Sequence, residues 1–489
     1  MLRYSSGKLE QGHRTRYVLP IRHMVTSLII LCLITAVWPS SVVAGAALTD
    51  KTPPFYTQVA GGEFYTVALR NDGSVWEWGR NMTGSLALQK TGTYINTSAP
   101  VRVANLSDII SIRITQGSAQ NLAVKSDGTV WQWGADDCSK YKDRCNYSIL
   151  PEQVKGVADT IAVDATDKVG YAVHKDGSVW QWSRLANQAD TADGSPSTQV
   201  KGLNNVTQVM IGEKKLYAVK QDGTVWSLSL KEKQQATPVK IKGLANIKQI
   251  YVYNELLALD KKGKLWHLKE NGKVTSIYPT LKLKEVKFRA SSMLLLTESG
   301  DVYSYGDPMV KNGKVSGLPK IQTIGTGTYH SLAVSTDGKM WGWGGNKYLE
   351  LGAPSKSPDG MVYHPIQALD DIDIYLNGSV IALGYPAIKT DASVQIPLAS
   401  LARVMGAQLT YTLGSNGYPE TYTLTFKDKT VVFHANQTTI QANDQGKELP
   451  EMMSAVGGAV TIPYQLLEMG LNVKVTWDPV RRRIDIQSS

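Results

Sequence analysis

Cysteine and phenylalanine are both scarce, with 3 Cys and 5 Phe in 489 residues. Three cysteines cannot staple a disulfide-dense scaffold, so the fold must rest on buried apolar surface. Histidine is scarce too. None of the 7 stands at H-x-x-x-H or H-E-x-x-H spacing, which excludes a helical zinc-protease site. The chain has no G-x-S-x-G elbow, no phosphate-binding P-loop and no G-x-G-x-x-G fingerprint. Beyond residue 44 no run approaches 18 apolar residues, which excludes a later membrane-spanning helix. At 42% apolar and 19% charged, the balance is that of a globular protein.

The N-terminus departs from that balance. Residues 1–23 carry Arg3, Lys8, Arg14, Arg16 and Arg22 against Glu10 alone, and Val25 to Val37 is a 13-residue apolar run followed by Pro39. Val42-Val43-Ala44 offers the small-residue pattern of a cleavage site, so 1–44 reads as a secretory signal peptide. The rival reading is an uncleaved anchor, against which Pro39 and the short apolar core weigh. Leu31 before Cys32 argues against lipidation. Removal of 1–44 leaves a net charge of +6 and two cysteines, Cys138 and Cys145, in DDCSKYKDRCNY. In an exported chain a disulfide across this loop is the expected state; two free thiols or half a metal site are the alternatives.

Tryptophan is abundant instead, at 12 residues. Ten of them fall in one repeated unit: VALRNDGSVWEWG (67–79), LAVKSDGTVWQWG (122–134), YAVHKDGSVWQWS (171–183), YAVKQDGTVWSLS (217–229), LALDKKGKLWHLK (257–269), LLLTESGDVYSYG (294–306) and LAVSTDGKMWGWG (332–344). Each reads as a hairpin whose tight turn holds Gly73, Gly128, Gly177, Gly223, Gly263, Gly300 or Gly338, since glycine adopts the positive φ such a turn requires. Lys262 and Ser299 replace the turn aspartate in the fifth and sixth copies. Further strand candidates lie between units, giving about four short strands per unit, the arithmetic of a propeller blade. Trp131 is expected to pack between blades.

These units resemble the repeat of the regulator of chromosome condensation family, whose fold is a seven-bladed β-propeller; the resemblance covers about 55–369. It implies a mainly β fold. By analogy the ring closes by pairing a first strand near Val59 with Pro365–Leu369. The family also places a Gly and a His-Ser pair ahead of the hairpin, a form that Gly327, His330 and Ser331 keep best. His330 is read as a structural residue rather than a catalytic base.

After residue 369 the tryptophan period stops, and 370–489 carries nine bases and twelve acids. Two half-repeats occur there, IPLASLARVMGAQLTYT (396–412) and IPYQLLEMGLNVKVTWD (462–478). Each reads as a short helix with Pro at its first position, a glycine stop at Gly406 or Gly470, and then a strand. This region, about 372–487, is similar to the copper amine oxidase-like N-terminal, or stalk, domain of exported Gram-positive proteins. With one histidine, His434, it does not support copper. Asp371-x-Asp373 starts like a calcium loop, but Tyr375 and Leu376 do not continue it, so it reads as a solvated domain junction.

Residues 201–290 hold 18 bases and 7 acids. They read either as a basic sector for an anionic partner or as lysines at solvent-facing strand ends. The expectation is therefore an exported bacterial surface or secreted protein: a seven-bladed propeller (55–369) that binds without catalysis, followed by a small α+β stalk-like module (370–489). It needs no cofactor and no metal. Its partner is a protein or an anionic cell-wall polymer, with no nucleic acid and no membrane once the leader is removed. Tyr141, Arg144 and Tyr147, in the cysteine loop, are the candidate contact residues, because long loops on a rigid scaffold carry binding. A secreted proteinaceous inhibitor is the alternative. A polysaccharide-active enzyme, the third reading, needs carboxylates converging across blades.

Overall fold

The computed structural model describes residues 53–488 apart from 82–94, 115–119, 135–147, 167–168, 184–196, 231–236, 253–254, 290–291, 308–310, 355–356, 358, 416 and 457–458. The expected leader, 1–44, lies outside the described residues. Between Tyr56 and Gln367 the described strands form seven antiparallel sheets of four strands each. In sheet 1, Tyr56–Gly61, Tyr65–Arg70, Val75–Asn81 and Ile95–Arg102 lie side by side in chain order. Sheets 2–7 span 109–153, 160–199, 206–240, 247–277, 283–314 and 321–367. The first strand of each sheet touches the first strand of the next, and that of sheet 7 returns to sheet 1. This is a closed β-propeller.

The D-G-S/T-x-W motif builds each hairpin through a side-chain relay. In sheet 2 the Asp127 carboxylate accepts the Thr129 backbone N–H at 2.9 Å and its hydroxyl at 2.6 Å, while Thr129 Oγ1 accepts the Trp131 indole N–H at 3.1 Å. Sheets 1, 3 and 4 repeat this with Asp72–Ser74–Trp76, Asp176–Ser178–Trp180 and Asp222–Thr224–Trp226. The turns that lack the aspartate keep the bonds by another route. Asp260, two residues before Lys262, accepts the N–H groups of Lys262 and Lys264 with one oxygen and the Trp266 indole with the other. In sheet 6, Thr297, Ser299 and Asp301 bond among themselves.

The seven turn glycines have φ between +77° and +88°. Gly128 shows why a side chain is excluded there: a Cβ would stand 2.8 Å from Asp159 Cα, where sheet 3 begins. Its carbonyl accepts the Thr160 N–H at 3.0 Å, so the turn of one sheet anchors the first strand of the next. Gly338, in the last turn, abuts Phe55 in the same way.

Ring closure differs from the expectation. The segment 365–369 does not pair with the first strand: Met361–Gln367 is the outer strand of sheet 7, and Tyr56–Gly61 pairs only with Tyr65–Arg70 among the described residues. Closure is by face packing. Tyr56, Val59, Trp76 and Trp78 of sheet 1 bury against Leu332, Val334 and Met340 of sheet 7, and the Trp78 indole donates to Glu350 O at 2.8 Å. Each of the seven sheets draws its four strands from one continuous stretch of chain, so no strand is shared across the closure.

Trp131 does pack between sheets 1 and 2, but the two tryptophans of a pair are buried to different depths. The second of each pair, Trp78, Trp133, Trp182 or Trp343, is fully buried against the preceding sheet. The first, including Trp131, lies nearer the strand end and is half-buried. Trp76 alone of the first set is buried, at 1% exposure, and it lines a cavity together with Ile372, Ile374 and Pro386 of the C-terminal domain.

That domain has its own core, centred on Ile396, Leu398, Phe433, Ile462, Leu466 and Ile484. It contains two four-stranded sheets, a five-stranded sheet spanning Gln408–Glu448, and helices Leu398–Met405 and Gln465–Leu471. The two Ile-Pro segments pair antiparallel with each other, Ile396 opposite Ile462. Both prolines precede their helices instead of opening them: Pro397 is the N-cap of the first and Tyr464 that of the second. Gly406 ends the first helix with φ +72°. Gly470 does not end the second; Asn472, at φ 55°, does, and Gly470 lies inside the helix where a Cβ would meet Val431 at 2.8 Å.

Candidate functional site

Antiparallel order sorts the loops onto two faces of the ring. The second-to-third turns and the links between sheets share one face; the first-to-second turns and third-to-fourth loops share the other.

The turn face of sheet 1 carries the C-terminal domain. Arg70 pairs with Asp72 at 2.9 Å, Asp371 at 3.1 Å and Asp373 at 2.9 Å. Arg102 reaches Asp373 at 2.8 Å, and Arg482 reaches Asp371 at 2.9 Å and Pro54 O at 2.9 Å. Three guanidinium groups thus balance three carboxylates. Burial alone would lower the pKa of Arg70, but Asp373, Asp371 and Asp72 carry it upward, so the charge is held. The Arg70 guanidinium also lies 5.0 Å over the Trp76 ring. The junction at Asp371 and Asp373 is therefore buried and ion-paired, not solvated. Its arginines come from distant parts of the chain, which a local motif cannot reveal.

The opposite face holds an aromatic cluster at the seam between sheets 1 and 7. Phe64, in the first turn of sheet 1, stacks on Tyr329, in the first turn of sheet 7, with ring centroids 5.4 Å apart. Tyr348, in the last loop, meets Phe64 edge-on at 5.0 Å. Arg80 lies 4.4 Å over Tyr348 and 5.2 Å over Phe64, and Lys347 is 5.7 Å from the Tyr348 ring. Tyr329 is 53% exposed and presents its ring to solvent.

The seam beneath is hydrogen-bonded and closely packed. Thr66 Oγ1 lies 3.0 Å from His330 Nε2 and donates to Glu350 O at 2.8 Å. His330 is buried and lies so close to Gly61 and Gly327 that a Cβ on either would collide with its ring. At 3% exposure it is enclosed in the seam. No local signal marks the cluster, because its aromatics meet only when the ring closes.

The loop residues Cys138, Cys145, Tyr141, Arg144 and Tyr147 lie outside the described residues. The lysines of 201–290 do not form one patch. Lys220, Lys240, Lys242, Lys261, Lys262 and Lys282 stand at the turn face, whereas Lys214, Lys215, Lys269 and Lys273 stand at the other. Lys220 and Lys264 lie 4.4 Å over Trp226 and Trp266, covering half-buried indoles. Among the described residues no group of three or more His, Cys, Asp or Glu is placed to hold a metal, and no helix is long and apolar enough to cross a membrane. Copper does not fit the C-terminal domain: its one histidine, His434, lies 2.9 Å from Thr421 Oγ1 through Nδ1, with no second imidazole.

Comparison with known proteins follows these two regions. Residues 72–124 and 321–349 match the family model of the regulator of chromosome condensation (RCC1) repeat, and 375–486 match that of the copper amine oxidase N-terminal domain. The chain is 32% identical over 121 residues to E3 ubiquitin-protein ligase HERC2 of Mus musculus, covering 24% of this chain and 2% of that protein. It is 36% identical over 88 residues to protein pim1 of Schizosaccharomyces pombe, covering 16% of each. The chain thus spans only a small part of these relatives. Among solved structures, Prp20p from Saccharomyces cerevisiae is similar at 18% identity and a TM-score of 0.44, covering 65% of this chain and 88% of that one. Human WBSCR16 is similar at 16% identity and a TM-score of 0.48, covering 61% and 94%. The chain carries RCC1-type repeats folded as a β-propeller, followed by a domain of the copper amine oxidase N-terminal type.

Proposed function

We propose that this protein is an exported bacterial surface or secreted protein whose propeller binds without catalysis, and that its ligand is an anionic cell-wall polymer. The observation that carries this reading is the Phe64–Tyr329–Tyr348 cluster, flanked by Arg80 and Lys347, on the ring face opposite the C-terminal domain. An exposed tyrosine ring offers a stacking surface for a sugar, and adjacent cations offer charge to a phosphate or carboxylate. The seam below holds the rings in place before any ligand arrives, which lowers the ordering cost of binding. The C-terminal domain acts as an accessory module whose attachment at the other face leaves this one open.

The test is co-sedimentation of the purified chain with Gram-positive cell walls, intact or stripped of anionic polymer, at low and high salt. Salt-sensitive binding to intact walls, weakened about tenfold by Tyr329→Ala as expected of a central aromatic contact, supports the reading. Failure to sediment with intact walls, or indifference to stripping and to Tyr329→Ala, sinks it and leaves a secreted inhibitor of an extracellular enzyme as the next function to assay.

A further inference from the structure

In the C-terminal domain, the five-stranded sheet ends on strand Gln408–Leu413, which pairs only with Pro419–Phe426 among the described residues. Edge strands are usually blunted by charge, proline or a covering element, because their free amides template further pairing. This one, QLTYTL, has no charged residue and no proline. Along its outer half the apolar side chains are uncovered: Tyr411 is 58% exposed and Leu413 62%, and Tyr418 in the adjoining hairpin is 72% exposed.

The backbone and the side chains agree on one occupant. The hairpin closes with Gly414 N–H donating to Tyr418 O at 2.9 Å. Counting back by the two-residue alternation, Thr412 and Thr410 point their amides at the neighbouring strand, whereas Leu409, Tyr411 and Leu413 point theirs outward. A two-fold axis through Tyr411 would then set Tyr411 opposite Tyr411 of a second copy. The same register sets Leu409 opposite Leu413 on one face and Thr410 opposite Thr412 on the other. Both pairings match like with like, apolar beside apolar and hydroxyl beside hydroxyl, which is what an isologous antiparallel contact needs. Leu409 already packs on the domain core, and Tyr411 lies 6.2 Å from Tyr422, so the pairing would extend the existing apolar face.

We propose that this edge is a self-association surface: two copies of the chain join strand 408–413 to strand 408–413, antiparallel about Tyr411, into one continuous sheet.

Sedimentation velocity on the purified chain, over a concentration series, reads the outcome directly. The expected result is a dimer for the wild type, a monomer for Leu413→Lys, and an unchanged dimer for Val480→Lys, a control at another residue that is 62% exposed. Far-ultraviolet circular dichroism should be the same for all three, since both lysines replace exposed side chains. A wild type that stays monomeric through the micromolar range overturns the proposal. So does a Leu413→Lys variant that still dimerises, because another surface then carries the contact. Equal loss in both variants overturns it as well, by showing a response to added charge in general.

Discussion

The Trp133 indole donates a 2.6 Å hydrogen bond to Glu77 Oε1, joining sheets 1 and 2 where both side chains are about 1% exposed. Burial pushes the Glu77 carboxyl well above its ordinary pKa, and the Trp133 bond offsets only part of that. A carboxyl with a raised folded-state pKa binds more protons in the folded chain than in the unfolded one. Its stabilising share is complete below the unfolded pKa and is lost as pH rises toward the folded value. Glu77→Gln, which keeps the acceptor and removes the charge, should therefore match the wild type below about pH 4 and exceed it increasingly at higher pH. Urea melts across pH check this. A difference independent of pH would show that Glu77 titrates alike in both states.

The same pair decides which tryptophan holds the joint. Trp133→Ala should cost about 3–5 kcal/mol, since it empties a fully buried site. Trp131→Ala should cost distinctly less, about 1–2 kcal/mol for a half-buried ring. Equal losses in denaturant melts would contradict the burial difference between them.

The turn relays predict a contrast between two aspartates. Asp222 serves Thr224 with a single oxygen, Oδ1, so Asp222→Asn can keep both bonds through its remaining carbonyl. Asp260 uses both oxygens, one for Lys262 and Lys264 and the other for Trp266. Asp260→Asn must turn its NH2 group toward another donor and should cost about 1–3 kcal/mol. Asp222→Asn should stay within about 0.5 kcal/mol of the wild type. The two melting midpoints settle it; a similar cost at both turns would mean that the second oxygen of Asp260 does nothing for stability.

Two glycines separate backbone strain from collision. Gly128 and Gly156 both have positive φ, +88° and +72°, but a Cβ at Gly156 meets nothing within 4 Å, whereas at Gly128 it meets Asp159 Cα at 2.8 Å. Gly156→Ala should cost only the left-handed penalty, about 1–2 kcal/mol. Gly128→Ala adds displacement of the next sheet's first residues, so its cost should be larger. Equal values from thermal or urea melts would show that the sheets give way freely at their joints.

What the sequence makes legible here is local. The hairpin turns, the strand count per unit and the helix-then-strand half-repeats all depend on residues within a few positions of each other, and D-G-S/T-x-W states its own hydrogen bonds. Even a turn that lacks the aspartate carried a signal, because Asp260 stands two residues before Lys262. The features missed depend on residues far apart in the chain. Arg70 and Asp371 are separated by 301 positions, and Phe64 and Tyr329 meet only across the closed seam. The half-buried Trp131 and buried Trp133 share one strand face, and only the position of the neighbouring sheet distinguishes them.

The Arg70–Asp371–Asp373 junction leads to the last prediction. Six charged groups are balanced there, so removing one carboxylate leaves an uncompensated buried guanidinium. Asp371→Ala, which strips Arg70 of one partner and Arg482 of its own, should destabilise the junction by about 3–5 kcal/mol. Buried pairs are screened little by salt, so the wild-type attachment should persist at high ionic strength while exposed pairs such as Lys314–Asp301 weaken. Limited proteolysis reads the attachment: cleavage near residues 368–372 should be slow in the wild type at any salt and fast in Asp371→Ala. If Asp371→Ala is cut no faster than the wild type, the apolar residues around Trp76 are sufficient to hold the two domains, and the ion network contributes orientation but not adhesion.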